Sequence, residues 1–130
     1  MPLTWATSGT LQRAVGSFDV PYRLVETTTA GRIDIVGFRV DPGGSFPSLD
    51  HSTEVDVVGR QVQVGTYDEG RYVAARLTVS DGYFLTIEAH GRSVDDVLAV
   101  ARTLRPMDEA TWNAVPTGAE PLGDACFFLC

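Results

Sequence analysis

Alternating apolar and polar positions in the second half of the chain predict a β-hairpin. Residues 72–79 and 83–90 each place apolar side chains at every second position, a period that is typical of half-buried strands. A two-residue loop between them would set apolar residues opposite polar ones. A three-residue loop at residues 80–82 sets apolar residues opposite apolar ones and pairs Val79 with Tyr83. We therefore predict the three-residue loop.

A helix is predicted directly after this hairpin, at residues 93–105. Ser93 is a typical N-cap whose hydroxyl can accept a hydrogen bond from the amide of Asp96, and Pro106 ends the helical pattern. One apolar stripe at helical spacing consists of Val94, Val97, Leu98, Ala101 and Leu104. A helix of about three turns is marginal alone, so this stripe is expected to pack on the sheet.

Shorter patterns elsewhere predict the rest of the sheet. Strands are expected at Tyr22–Glu26, at Arg32–Asp41 with a bulge at Gly37, and on either side of a Gly59-Arg60 turn, with a four-residue loop at 68–71. The predicted fold class is α+β, with a curved antiparallel sheet of about six strands whose C-terminal half is a meander. The main helix packs on its apolar face.

The two ends of the chain show weaker patterns. In residues 1–16, Trp5, Leu11 and Val15 could form one side of a short helix, which the glycines weaken. Residues 1–114 are predicted to form a single domain in which Trp112 closes the core edge after a turn capped by Asp108. Residues 115–130 are predicted to be a flexible Pro/Gly-rich tail that ends in CFFLC.

An irregular stretch at Asp41–Thr53 contains two prolines and two adjacent glycines, which exclude a helix or a central strand. Loops of this length are often functional. Alternatively, Phe46 and Leu49 fold back as a plug over the open end of the sheet. Both interpretations stay open at this point.

The charge of the chain limits the classes of partner. Seventeen acidic residues against ten basic ones give a formal net charge of -7, and the arginines are scattered among carboxylates. We therefore expect no binding to nucleic acid, which needs clustered basic residues. No apolar run is long enough to span a bilayer, and no signal peptide is recognisable. The expected compartment is cytoplasmic for the chain as written, and extracytoplasmic if it is part of a longer protein.

Five residues are candidate contributors to a binding surface: Asp50, His51, Arg76, Glu88 and His90. An Asp-His neighbour pair such as Asp50-His51 could orient an imidazole for base chemistry, but no nucleophile motif accompanies it. Arg76 and Glu88 project from the same face of the predicted hairpin, as expected for a cross-strand or diagonal ion pair. Catalytic residues, a metal site and a cofactor are not expected.

Cys126 and Cys130 form a C-x-x-x-C pair around three apolar residues. Two thiols supply only half of a structural zinc site, and a disulfide between them would need an oxidising compartment. A folded acidic domain followed by a short Cys-terminated peptide is also the layout of ribosomally made, post-translationally modified peptide precursors. In the plainer alternative, the apolar end packs onto the domain.

Three segments together resemble a known type of domain: VGRQVQVG, LTVSDGYFLTIEAHG and SVDDVLAVARTLRPMDEATW. This part of the chain, roughly Val55 to Trp112, resembles the small β-rich C-terminal domain of actinobacterial membrane-anchored or lipoprotein-type extracytoplasmic proteins, which are mostly uncharacterised. The resemblance implies a non-enzymatic sensing or interaction role. All ten basic residues are arginine, which indicates a GC-rich coding sequence and agrees with such an origin.

These observations favour a non-enzymatic interaction or ligand-binding domain whose partner, a protein or a small molecule, is not identified by the sequence. Its predicted contact surface is the polar sheet face together with the Asp41–Thr53 loop. The alternatives are a modified-peptide precursor and a small enzyme that uses His51 and His90. Homodimer formation is left open.

Overall fold

A computed structural model describes residues 2–7, 9–16, 18, 22–39, 49–67, 72–80 and 82–118. The strands are β1 Leu3–Thr4, β2 Thr10–Gly16, β3 Tyr22–Thr28, β4 Gly31–Arg39, β5 Asp50–Val57, β6 Arg60–Tyr67, β7 Tyr72–Ser80, β8 Tyr83–His90 and β9 Arg105–Pro106. The helices are α1 Val94–Arg102 and α2 Glu109–Ala114.

Seven of these strands form one antiparallel sheet in the order β2-β3-β4-β8-β7-β6-β5, and β1 pairs with β9 in a separate two-stranded sheet. Helix α1 packs on the main sheet against strands β5 to β8. The predicted α+β class, with a helix on an antiparallel sheet, is therefore confirmed. The sheet has one strand more than the six that were predicted, and this strand is β2. A short helix was considered for this region, and that expectation was wrong. Pairing with β3 supplies β2 with the backbone partners that its weak local pattern does not predict.

The β7–β8 hairpin has the predicted apolar pairing in its centre, where Leu77 lies opposite Leu85. Its end differs from the prediction, because Ser80 rather than Val79 pairs with Tyr83 and the register shifts between residues 78 and 80. Gly82 has a φ of 73°, a left-handed conformation that glycine adopts without steric cost. The irregularity at Val79 thus absorbs the extra residue within the strand.

The β5–β6 turn lies one residue earlier than predicted, at Val58-Gly59, and Val57 pairs with Arg60. Both turn residues have positive φ, 52° and 79°, which matches the right-handed twist of a two-residue hairpin. A branched valine is costly in this conformation, so the sequence pointed instead to a turn beginning at Gly59. Tyr67 pairs with Tyr72 at the ends of β6 and β7, and the loop predicted at residues 68–71 lies outside the described residues.

No register shift occurs in β4, so the predicted bulge at Gly37 was wrong. Residues 33–38 are buried on both faces of the sheet, which explains why apolar residues occupy both phases of the alternation. Gly37 faces Tyr22 across the β3–β4 ladder, and a Cβ at position 37 would overlap the tyrosine ring. Close packing against this ring is therefore the reason for the glycine.

Helix α1 begins as predicted. The Ser93 hydroxyl accepts from the Asp96 amide at 3.2 Å, and the Asp96 carboxylate accepts from the Ser93 amide at 3.0 Å, which completes a capping box. The helix ends at Arg102, three residues before the predicted end, because Arg105–Pro106 pair with β1. Val94 is 40% exposed, whereas Val100, which lies outside the predicted stripe, is buried in the core.

The core lies between the sheet and the two helices. Asp108 caps α2 by accepting from the Thr111 amide at 2.7 Å, and Trp112 is buried with its ring edge-on to Tyr22, 6.0 Å between centroids. The predicted role of Trp112 at the core edge agrees with this position. Val115 is also buried, so packed structure continues past residue 114.

Candidate functional site

The sheet face opposite α1, here called the helix-free face, carries a group of buried polar residues. Ladder registry places them on this face of strands β3, β4, β7 and β8. The buried polar cluster consists of Arg23, Asp34, Arg76, Thr86 and Glu88, each 2% exposed or less. Charged side chains are rarely buried without partners, so a cluster of this kind is either a structural network or a site.

Asp34 is held by two arginines. Arg23 donates through Nε and Nη2 to Asp34 Oδ1, at 2.9 and 2.8 Å, and both side chains are fully buried. Arg32 donates through Nε to the other oxygen, Oδ2, at 3.0 Å. Charge-assisted hydrogen bonds at both carboxylate oxygens offset the cost of removing Asp34 from water. This part of the cluster is therefore a structural ion-pair network.

Arg76 and Glu88 are diagonal neighbours on β7 and β8, because Arg76 lies opposite Thr86 and Ala74 lies opposite Glu88. The expected placement on one face thus agrees with the register. Their exposure differs from the expectation of a solvated contact surface, since Arg76 is 2% and Glu88 is 1% exposed. Only parts of the helix-free face near these residues are open to a ligand.

One such opening is a depression of about 230 Å³ over strands β5 to β7. Its lining residues are Glu54, Gln61, Gln63, Arg76, Leu77 and Thr78. Glu54 pairs with Gln63, and Gln63 pairs with Arg76, so these three lie in one row across the strands. A buried guanidinium thus meets two amides, a hydroxyl and an exposed carboxylate, which are groups that can orient a polar ligand.

His90 lies at the end of β8 on the same face, half-buried and in contact with Tyr72. The two ring centroids are 4.4 Å apart with an interplanar angle of 56°. His90 also pairs with Arg32 across β4. This histidine therefore lies beside the Asp34 network rather than in the depression.

Asp50 and His51 lie in β5, at the edge of the sheet, and not in the long loop to which they were assigned. Both are exposed, and the register of β5 shifts between Asp50 and Thr53 around the positive φ of His51, 48°. Strands β6 and β7 separate this edge from His90, a distance of about 14 Å for three strand spacings. The structure does not bring the two histidines together.

A second cavity, of about 110 Å³, lies along α1 beside Trp5 and Val100. Arg92 spans it, donating to Glu26 at 3.2 Å and to Asp96 at 3.2 Å. The hydrogen bond from the Ser93 backbone amide is the main cause that lowers the pKa of the Asp96 carboxyl below its ordinary value. These contacts tie α1 to β3, which makes this cavity part of the scaffold.

Sequence reasoning identified Arg76, Glu88 and His90 but missed Arg23, Asp34 and the residues around Arg76 in the depression. A signal was present, because a charged residue in the middle of an apolar strand, such as Asp34 between Ile33 and Ile35, indicates a buried partner. The pairing of β3 with β4 was needed to name that partner.

Within the described ranges, no group of three or more His, Cys, Asp or Glu side chains is arranged to hold a metal ion. No helix in the described part of the chain is long and apolar enough to cross a membrane. Three residues named in the sequence analysis lie outside the described residues: Phe46 of the plug, and Cys126 and Cys130 of the tail. Leu49, the other residue of the plug, is buried.

No family model matches this chain, and neither the characterised proteins nor the solved structures contain one that is detectably similar.

Proposed function

We propose that this protein is a non-enzymatic domain that binds a small polar ligand on the helix-free face. The observation that carries the proposal is the depression with Arg76 at its base. A buried charge attracts an oppositely charged ligand group more strongly than an exposed one, because less water screens it. Gln61, Gln63 and Thr78 around it supply both hydrogen-bond donors and acceptors.

The arrangement of the histidines supports binding rather than catalysis. General base chemistry needs an imidazole within hydrogen-bond distance of the group that it deprotonates. His51 and His90 are separated by two strands, and the His90 ring contacts Tyr72 outside the depression. A reaction centre built from both histidines therefore lacks geometric support.

The resemblance of residues 55–112 to domains of actinobacterial extracytoplasmic proteins supports the same role. In that context, the domain would sense a solute or contact a partner on the outer side of the membrane. The extracytoplasmic location is a part of this proposal that depends on the resemblance alone.

The test is a titration of isotope-labelled protein with fractionated small-molecule extract from its host, followed by amide chemical shifts. We expect at least one fraction to shift amides of β5 to β7 that surround the depression. Thr78→Lys, which places a long charged side chain at an exposed lining position, should abolish these shifts, whereas Thr111→Lys on exposed α2 should preserve them. Shifts that map only elsewhere, or no shifts with any fraction, would overturn the proposal.

A second candidate, the modified-peptide precursor, is favoured by the contacts that hold residues 115–117 on the domain. The Arg13 amide donates to the Pro116 carbonyl at 2.7 Å, and the Arg13 Nε donates to the Val115 carbonyl at 2.9 Å. These contacts anchor residues 115–117 along β2, and the segment with Cys126 and Cys130 follows this anchor in sequence. Intact mass of protein from the native host should then differ from the sequence mass by changes confined to the tail; an unmodified tail would exclude this candidate.

A further inference from the structure

We infer that the depression binds a small zwitterion, with the ligand carboxylate at Arg76 and its ammonium group at Glu54. This inference rests on the proposed function and specifies its ligand class. A free amino acid, a dipeptide or the end of a short peptide carries the two charges that are required. The shared chemistry is one carboxylate and one ammonium group a few bonds apart.

The strand registry determines the spacing of the two charges. Glu54, Gln63 and Arg76 lie directly opposite one another on the consecutive strands β5, β6 and β7. Two strand spacings separate the Cα atoms of Glu54 and Arg76 by about 10 Å. Both side chains line the depression on either side of Gln63, so a small molecule in it would lie between two groups of opposite charge.

The chemistry of each lining group agrees with this orientation. A guanidinium presents N–H groups in a planar fork that matches a carboxylate, and a glutamate accepts hydrogen bonds from an ammonium group. Gln61, Gln63 and Thr78 can bond to a peptide or side-chain group between the two ends. An anion without an ammonium group would meet the Glu54 carboxylate at the rim, so the pair of charges also favours zwitterions over simple anions.

The size and exposure of the depression set the expected ligand and affinity. Its volume of about 230 Å³ is below the 300–1,000 Å³ that is usual for drug-sized ligands, which favours a molecule of amino-acid or dipeptide size. Arg76 is 2% exposed whereas Glu54 is exposed. We therefore expect the carboxylate contact to contribute more of the affinity than the ammonium contact.

The experiment titrates labelled full-length protein with two probes, glycylglycine and acetate. The same amides around residues 54, 63 and 76 should shift with glycylglycine and more weakly with acetate. Glu54→Gln keeps the shape of an exposed side chain and should reduce glycylglycine affinity about threefold to tenfold, whereas acetate affinity should rise because the repelling carboxylate is removed. Glu109→Gln, an exposed acid on α2, is the matched control and should change neither affinity.

Arg76→Gln should abolish binding of both carboxylates, provided that its amide spectrum shows a folded protein. Because this residue is buried, the Glu54→Gln result decides the matter if Arg76→Gln does not fold. Glycylglycine that binds no more tightly than acetate, or that is insensitive to Glu54→Gln, would overturn the zwitterion inference. If glycylglycine fails this test but host extract still shifts the same amides, only the ligand class is wrong. If host extract shifts none of them, the proposed function is wrong as well.

Discussion

Asp34 and Glu88 lie directly opposite each other on β4 and β8, and both side chains are buried on the helix-free face. Side chains that are opposite in an antiparallel ladder have Cβ atoms about 5 Å apart, and like charges at this distance repel. Arg23 and Arg32 each donate to Asp34, at 2.8 to 3.0 Å. The guanidinium groups are therefore what allows a carboxylate to be buried at this position.

The first prediction is that Asp34→Asn destabilises the domain strongly. The substitution preserves the shape of the side chain but leaves the buried Arg23 guanidinium without its carboxylate. Breaking a buried ion pair by removing one partner costs about 3–5 kcal/mol. Urea denaturation of the variant and the wild type at neutral pH measures this difference in the free energy of unfolding.

The matched control for this substitution is Asp95→Asn on the exposed first turn of α1. It removes the same charge without uncovering a buried partner, so we expect a loss of no more than about 1 kcal/mol from the helix dipole. Similar losses in the two variants would contradict the assignment of Arg23 and Asp34 as a buried ion pair.

The second prediction concerns the Tyr22 hydroxyl, which accepts a hydrogen bond from the Leu3 amide at 2.9 Å in the core. Tyr22→Phe leaves this amide without its acceptor, and a buried unsatisfied donor costs about 1–3 kcal/mol. Hydrogen exchange at the Leu3 amide should also accelerate, because the β1–β9 sheet loses its link to β3. Unchanged exchange at Leu3 would show that the tyrosine does not hold this strand.

Alkaline pH provides a further check on the same residue. Burial raises the pKa of Tyr22 above its ordinary value of 10.0. The unfolded chain therefore releases this proton first as the pH rises above about 10, and the wild type loses stability there. Tyr22→Phe lacks this titration, so the stability difference between the two proteins should narrow above pH 10.

The third prediction is an acid-dependent contribution from the α1 capping box. The lowered pKa of Asp96 means that its contribution to stability is complete above the ordinary value of 3.8 and is lost as the pH falls through the folded-state pKa. Asp96→Asn should cost a few tenths to about 1 kcal/mol at pH 7, and the difference from wild type should shrink near pH 2. Denaturation midpoints at a series of pH values measure it.

Asp95→Asn again serves as the comparison, because Asp95 shares the helix dipole but forms no capping box. Its loss of stability at neutral pH should be smaller than that of Asp96→Asn. Equal losses in the two variants would attribute the effect to the dipole alone.

Several structural elements could be predicted because their causes are local. The Ser93 cap lies within three residues of its partner Asp96, and the alternation of β7 and β8 is contained in each strand. Details that depend on backbone conformation were predicted less well. The Val58-Gly59 turn depends on two positive φ values and the irregularity at Val79 is a shift of register, and residue types indicate both only weakly.

The candidate site was predictable only in part for a different reason. Alternation assigned Arg76 and Glu88 to one face of a hairpin, and the register agrees. It did not indicate how deeply they are buried, nor that Glu54 and Gln63 lie in one row with Arg76. Those relations depend on which strands become neighbours, and a one-residue difference in a hairpin turn changes them.

The sequence by itself determined an antiparallel sheet with one capped helix on its apolar side, because periodicity and capping act over a few residues. Only the tertiary structure decided that charged side chains from separate strands would be buried together on the other side, and that a depression would open beside Arg76. Burial is a property of lateral strand order and of what covers each face, and both are set by contacts between residues far apart in the chain.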